Sequence, residues 1–378
     1  MTSFSAIEIF LISAVFFLCG YLLRKRNGAS EIKRLIEIRH SSHLLGQMAK
    51  DDEQKKELAQ AYYDSEKAFQ ELDEYHWDIK DLILSPFLGY APAPCIEKTF
   101  QINSNQFRSS ENVLSPKPDN AYRIFLVGGS TAFGSGAPDQ ERTIGGYLKN
   151  YLDHQAPQKK KEKYEVHTVA APAWSSSHER IAIENLVSEM EPDLVISFSG
   201  NNEAHWGWNF KNTLWFRSYA DNHFWKIINA AYSSAGFDTF EDPIKDREKV
   251  LSPENLSRIL KKNVDLECYA LSPTGTKHYY AFQPTIPLTQ KPLTQREKKI
   301  LAGWHPDQVN YFRQYHKLAT VKLKALEEKY EYFRFFDLSG LFDEKSKEEE
   351  IFLDSSHFGD KGYDFISKSI YNLIQSEI

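Results

Sequence analysis

Three short segments that lie far apart in the sequence carry side chains suited to acyl transfer. Ser130 closes an apolar run and offers a hydroxyl nucleophile, and Asn202 follows another such run with an amide able to hold an oxyanion. Near the C-terminus, Asp354 and His357 are three residues apart, a spacing that lets a carboxylate orient a basic imidazole. Acyl transfer through a serine requires all of these parts. We therefore expect the three segments to meet in one site.

The Gly-Gly-Ser-Thr motif at residues 128–131 also resembles two other signatures, and it departs from each of them at one position. A phosphate-binding loop would need a lysine where Ser135 stands, although Gly129 and Gly134 have the required spacing. The Gly-x-Ser-x-Gly elbow of other serine esterases would need a glycine at Ala132. The motif therefore matches neither of these two signatures, and it remains compatible with a serine nucleophile.

The elements that must position these side chains follow residue 121, where β-rich runs alternate with helical segments. The predicted strands are residues 122–127, 164–169, 193–198, 278–282 and 333–337. Near-continuous apolar strands between helices are typical of a parallel sheet that is covered on both faces. Ligands of such sheets bind outside the carboxyl ends of the strands. Ser130, Ala173 and Asn202 follow the first three strands, so we expect them at one edge of the sheet.

Taken together, the ordered segments resemble the SGNH (GDSL-like) hydrolases of the bacterial membrane-anchored type, from about residue 100 to the C-terminus. The resemblance implies a three-layer α/β/α flavodoxin-like domain. It maps the catalytic serine onto Ser130, and the histidine and aspartate of the last family block onto His357 and Asp354. It also maps the oxyanion donors onto the side chain of Asn202 and the backbone N–H of Ala173.

Two positions depart from the family pattern. Ala173 stands where the family has a glycine, and Glu203 follows Asn202 where the family has an aspartate. An alanine keeps the backbone donor in place only if the conformation does not need a positive φ. The predicted role of Ala173 as a backbone donor therefore depends on its φ.

The resemblance implies a serine esterase that cleaves a carboxylic ester and needs no cofactor or metal. The substrate would be an ester-bearing small molecule, lipid or carbohydrate. Two alternatives stay open at this point. The same residues can transfer an acyl group to a carbohydrate or lipid, or the domain can be a non-catalytic scaffold with a membrane-protein partner.

Composition excludes some other classes. A net charge of −6 gives no basic surface of the kind that nucleic acid requires. The three cysteines have neither the spacing of a metal site nor the number of a disulfide framework.

The N-terminus predicts a single membrane-spanning helix. Residues 4–23 are apolar with Glu8 as the one charge, and twenty helical residues rise about 30 Å, enough to cross a bilayer core. No basic residue precedes the run and Arg24 follows it, which is unlike a cleaved signal peptide. Basic residues flank membrane spans on the cytoplasmic side, so the rule places the catalytic domain in the cytoplasm. Action on surface glycans would instead require it to face outward.

The predicted organisation has four parts. Residues 1–26 form the anchor with its basic flank, residues 27–80 a helical stalk, and residues 81–120 an extended lead-in. Residues 121–378 form the SGNH-type domain, with an aromatic-rich insertion at residues 205–277. This insertion is predicted to be either a cap over the site or a subsidiary core. His205, at its start, is interpreted as a cap residue and not as a metal ligand.

Overall fold

The computed structural model describes residues 6–41, 44–79, 81–85, 87–155, 163–211, 219–240 and 250–378. The chain divides into two compact units. The smaller unit comprises Met1–Ser42 and Tyr219–Lys245, and the larger unit comprises His43–Ser218 and Asp246–Ile378.

The described elements follow one another in a largely alternating order. The helices are α1 (Ala6–Ser41), α2 (Asp52–Ala59), α3 (Ser65–Glu71), α4 (Ser130–Phe133), α5 (Ile144–Gln155), α6 (Ser176–Ala182), α7 (Asn201–Trp208), α8 (Tyr219–Ala235), α9 (Pro253–Leu271), α10 (Gln295–Ala302), α11 (Pro306–Glu327) and α12 (Asp360–Ile374). The strands are β1 (Leu82–Ser85), β2 (Gly89–Pro92), β3 (Cys95–Ile96), β4 (Gln101–Ile102), β5 (Ala121–Gly128), β6 (Lys163–Ala170), β7 (Leu194–Ser199), β8 (Lys277–Phe282) and β9 (Phe333–Asp337).

A five-stranded parallel sheet forms the centre of the larger unit. Its strand order is β6-β5-β7-β8-β9, and each neighbouring pair is parallel. The five predicted strands are confirmed to within one residue at each end. This order, 2-1-3-4-5 along the chain, is the flavodoxin-like order, and the two strands with the most apolar sequences, β5 and β7, lie inside the sheet. Both are buried on both faces because helices cover the sheet on each side.

Side chains along β8 alternate between the two faces of the sheet, and their contacts show which helices cover each face. The side chains of Tyr280 and Phe282 belong to the apolar core that α9 and α11 complete. Tyr279 points to the other face, where its hydroxyl bonds Glu377 just beyond α12. On that face α12 packs against α5, with the rings of Tyr151 and Tyr371 stacked. The domain therefore has the predicted α/β/α layers.

The predicted stalk does not form one element. Residues 27–41 continue α1, whereas the segment from Leu44 to Ile79 belongs to the larger unit and packs into it. The cluster it forms with Leu353 consists of Leu45, Leu58, Ala59, Ala61, Tyr62, Ala68, Leu72 and Tyr75. Asp51 and Asp64 cap the first turns of α2 and α3, which fixes where these short helices begin.

The aromatic-rich insertion is also divided. Helix α9, with Ser252 as its N-cap and proline at its start, is a core helix that covers the sheet, so this part is not a cap. Trp208 packs against the same core. Two other aromatic residues of the insertion, Trp215 and Phe216, lie outside the described residues.

In the smaller unit, α1 and α8 pack against each other, and Gly28 gives the space in which Ser234 approaches. No helix among the residues that the structure describes combines the length and apolar character needed to cross a membrane.

Candidate active site

The structure brings together the three residues at the centre of the predicted site. Ser130 begins α4 directly after β5, and its hydroxyl donates to Nε2 of His357 over 2.6 Å. The other ring nitrogen of His357, Nδ1, lies 3.0 Å from each carboxylate oxygen of Asp354. One imidazole therefore bridges a hydroxyl and a carboxylate, as base catalysis on a serine requires.

The environment of Asp354 keeps its carboxylate charged. Burial alone would raise the pKa of Asp354, but the neighbouring His357 and the backbone N–H groups of Ser356 and His357 lower that pKa to about 2. Both N–H groups donate to Oδ1 over 2.8 Å. A fixed negative charge at this point holds the proton of His357 on Nδ1 and leaves Nε2 free to accept.

Contacts from the loop after β8 and from α10 hold these residues in place. Gln283, directly after β8, accepts a hydrogen bond from the Thr131 hydroxyl over 3.0 Å. The N–H of Ile286 donates to the carbonyl of Ser355, inside the Asp354–His357 turn, over 2.9 Å. From α10, Arg296 donates to the carbonyl of Phe352 over 2.6 Å.

Asn202 lies beside Ser130, as predicted. Its Nδ2 donates to the carbonyl of Trp174 over 2.6 Å, which uses one of its two N–H bonds. A Cβ placed on Gly129 would come within 2.6 Å of that same Nδ2 and 3.0 Å of the Trp174 carbonyl. The glycine before the serine is therefore needed so that the amide can lie close to the nucleophile.

Ala173 adopts a left-handed backbone conformation, with a φ of +68°. The condition set for an alanine donor, a φ that is not positive, is therefore not met. The loop keeps the backbone path that a glycine would take freely, and the Cβ of the alanine makes this path strained. Tyr90 helps to hold the loop, because its hydroxyl donates to the carbonyl of Pro172 over 2.8 Å.

Ala173→Gly is expected to stabilise the protein by about 0.5–1 kcal/mol. The left-handed conformation costs an alanine about 1–2 kcal/mol, and the greater freedom of glycine in the unfolded chain removes part of this gain. Urea unfolding followed by circular dichroism measures the difference. Ala171→Gly is the control, since Ala171 is also buried but is not among the residues with positive φ, and there glycine should destabilise.

Two buried glutamates join the two predicted oxyanion segments to each other. Glu203, next to Asn202 on α7, accepts from the backbone N–H of Ser176 at the start of α6. Glu179, on α6, accepts from the hydroxyl of Ser199 at the end of β7 over 2.6 Å. Each segment thus supplies a carboxyl group to the other, and Glu203 keeps a structural role where the family has aspartate.

A third buried carboxyl group, that of Glu267 on α9, completes this cluster. Neither of its oxygens has a hydrogen-bond partner, and the nearest base, Nε2 of His278, is 3.5 Å away. Burial and the neighbouring Glu203 raise the pKa of Glu267 well above its ordinary value. Burial lowers the pKa of His278 to about 3. The raised pKa favours the protonated, uncharged form of Glu267, and the lowered pKa favours the neutral form of His278.

Glu267→Gln is expected to flatten the pH dependence of stability. With a raised folded pKa, Glu267 stabilises the fold below the unfolded value near 4.5 and loses that contribution as pH rises towards the folded value. One such proton gives a slope of about −1.4 kcal/mol per pH unit. Urea unfolding between pH 5 and 8 should show a shallower slope in the variant. Glu254→Gln, at an exposed site on the same helix, should leave the slope unchanged.

The sequence analysis missed Trp77, whose ring packs on His357 with centroids 4.2 Å apart. The segment that carries it was assigned to a stalk, and its aromatic residues, unusual for an exposed stalk, were the available signal. His205, on α7, also lies near the site. Burial lowers the pKa of His205, with Asp354 opposing and His357 adding to that effect.

Comparison with known proteins gives a fold-level likeness. No family model and no curated protein matches the chain. A lipase/acylhydrolase from Enterococcus faecalis is 13% identical, with 68% of this chain and 96% of that chain covered and a TM-score of 0.41. An acetylxylan esterase from Geobacillus stearothermophilus is 12% identical, with 66% and 93% covered and a TM-score of 0.40. The acetyl xylan esterase AlAXEase is 14% identical, with 67% and 99% covered and a TM-score of 0.38.

These TM-scores are low, and no argument about this chain depends on them. The sheet has the flavodoxin-like order. The serine and asparagine blocks lie directly after β5 and β7, and the last block meets the serine through His357. This arrangement is the one that the resemblance to the SGNH (GDSL-like) hydrolases predicts.

Proposed function

We propose that this protein is a carboxylic-ester hydrolase with Ser130 as its nucleophile. The observation that carries the proposal is the single imidazole of His357 between the Ser130 hydroxyl, at 2.6 Å, and the Asp354 carboxylate, at 3.0 Å. These are the distances at which a base can take the proton of a nucleophile while a carboxylate orients it.

The reaction would run in two steps. Ser130 Oγ attacks the ester carbonyl carbon as its proton moves to Nε2 of His357. The resulting oxyanion accepts hydrogen bonds from the amide of Asn202 and from the backbone N–H groups of Ser130 and Ala173. The C–O bond to the alcohol then breaks, and His357 returns the proton to the departing alcohol oxygen. Water, activated by the same imidazole, hydrolyses the acyl-serine and restores the enzyme.

A fluorophosphonate probe tests the nucleophile in the full-length protein in detergent. We expect the wild type to be labelled and Ser130→Ala to stay unlabelled. Ser135→Ala is the matched control, because this serine lies just beyond the end of α4 and is fully buried, and it should be labelled normally. A folded wild-type protein without labelling would contradict the proposal and favour the scaffold alternative.

We further propose that residues 4–23 embed in a membrane, with the domain on the cytoplasmic side. The support is the surface of α1, where ten apolar side chains are each more than half exposed. They are Ile7, Phe10, Leu11, Val15, Phe16, Phe17, Leu18, Tyr21, Leu22 and Leu23. Release of the protein from membranes by alkaline carbonate would contradict the anchor. A C-terminal reporter that is active only in the cytoplasm tests the side.

A further inference from the structure

We infer that Trp77 determines specificity for the alcohol part of the ester. This inference rests on the proposed hydrolase function and adds a residue from outside the SGNH-type blocks. The Trp77 ring lies 4.2 Å from the His357 ring, centroid to centroid, at an interplanar angle of 57°. Trp77 is half-buried, so one part of the ring is packed and another part is accessible to a bound molecule.

The backbone beside Trp77 is fixed to the loop that follows the nucleophile. The carbonyl of His76 accepts from the N–H of Gly136 over 2.7 Å. The ring of His76 packs edge-on against Phe100 at 4.7 Å, and its Nδ1 lies 2.8 Å from the Thr99 hydroxyl. The position of the Trp77 ring is therefore set before any substrate binds.

The packed part of Trp77 contacts the hydrophobic cluster that lies next to the Asp354–His357 turn. Trp77 packs against the cluster that includes Leu353, the residue before Asp354. The N–H of Leu353 donates to the carbonyl of His357 over 2.7 Å, which closes the turn. Trp77 and the turn that carries His357 therefore pack on the same cluster. This shared packing fixes the distance between the two rings.

The chemistry places the alcohol next to this ring. In the breakdown of the tetrahedral intermediate, Nε2 of His357 must come within about 3 Å of the departing alcohol oxygen. A ring whose centroid is 4.2 Å from the imidazole centroid is then within van der Waals reach of the group attached to that oxygen. The carbonyl oxygen is held elsewhere, by Asn202, whose other contact is Trp174. Trp77 therefore faces the alcohol part and favours alcohols with a flat or ring-shaped apolar face.

The test compares two reagents that deliver the same phosphonyl group to Ser130 of the full-length protein. One has fluoride as its leaving group, and the other has p-nitrophenolate, a ring in the alcohol position. We expect Trp77→Leu to slow labelling by the p-nitrophenyl reagent about three- to tenfold, the loss typical of one aromatic contact. Labelling by the fluoride reagent should slow less, so that the ratio of the two labelling rates falls, and Trp77→Phe should show a smaller fall.

Trp304→Leu is the matched control, since Trp304 is also half-buried but packs on Phe312 in the core of α9 and α11. Equal slowing with both reagents would overturn the inference, because Trp77 would then only support His357. No slowing with either reagent would also overturn it. If Trp77→Leu does not fold, the comparison is made with Trp77→Phe. A wild-type protein that reacts with neither reagent would instead reject the proposed hydrolase function and the inference with it.

Discussion

Asn202→Ala is expected to lower kcat for ester hydrolysis by about 10²–10³, the usual cost of one oxyanion donor. One N–H of the Asn202 amide is used by the Trp174 carbonyl, and this bond holds the other N–H near the nucleophile. The oxyanion forms only in the transition state, so kcat should fall while KM changes little. Hydrolysis of p-nitrophenyl acetate by the full-length protein, measured over a range of concentrations, separates the two constants.

Asn201→Ala is the control for this prediction. Asn201 is the neighbouring residue in α7 and has the same side chain, but the family pattern gives it no role in the site. It should keep kcat within about threefold of the wild type, a change equivalent to less than 1 kcal/mol. A folded Asn202→Ala protein that also stayed within this range would show that the proposed oxyanion site is wrong. Labelling by fluorophosphonate should also be slower in Asn202→Ala, since attack of Ser130 on the phosphorus develops negative charge on the phosphonyl oxygen.

The sheet and the chemical segments were predictable because their signals are local. Each of the five strands is an apolar run bounded by turn residues, and the strand ends carry the residues that chemistry requires. Parallel connection then brings these ends to one edge without further information. The Asp354–His357 turn is likewise local, since both residues and the N–H groups that hold Asp354 lie within four positions.

The packing of residues 44–79 into the larger unit was not predictable in this way. The apolar residues of this segment have roughly helical spacing, which suits a stalk as well as a packed helix. Packing depends on residues about 300 positions later. The N–H of Tyr63 donates to Asp360 over 2.9 Å, and Gly359 leaves room for the backbone of Ala61. The left-handed backbone of Ala173 was equally hidden, because the residue type itself argues against that conformation.

A chain that begins at Phe100, where the resemblance to the family begins, is expected not to fold cooperatively. It would lose every other residue of the cluster that Leu353 forms with residues 45–75. Leu353 would then be exposed beside Asp354. Exposure of one leucine costs about 1.5–3 kcal/mol. The chain would also lose the hydrogen bonds from Tyr63 to Asp360 and from Tyr62 to the Gly136 carbonyl. These losses together are a large part of the stability of an ordinary domain, about 5–15 kcal/mol.

A chain that begins at His43 is the matched comparison, because it keeps the larger unit from its first residue. We expect it to unfold in a single transition in urea and to react with fluorophosphonate, whereas the chain from Phe100 should do neither. Hydrogen exchange gives the sharper local measurement: the amides of Leu353 and Gly359, both bonded in the turn region, should be protected only in the longer chain. Equal protection in both chains would mean that the N-terminal segment packs on the domain without supporting the site. That result would also remove the structural basis for a role of Trp77.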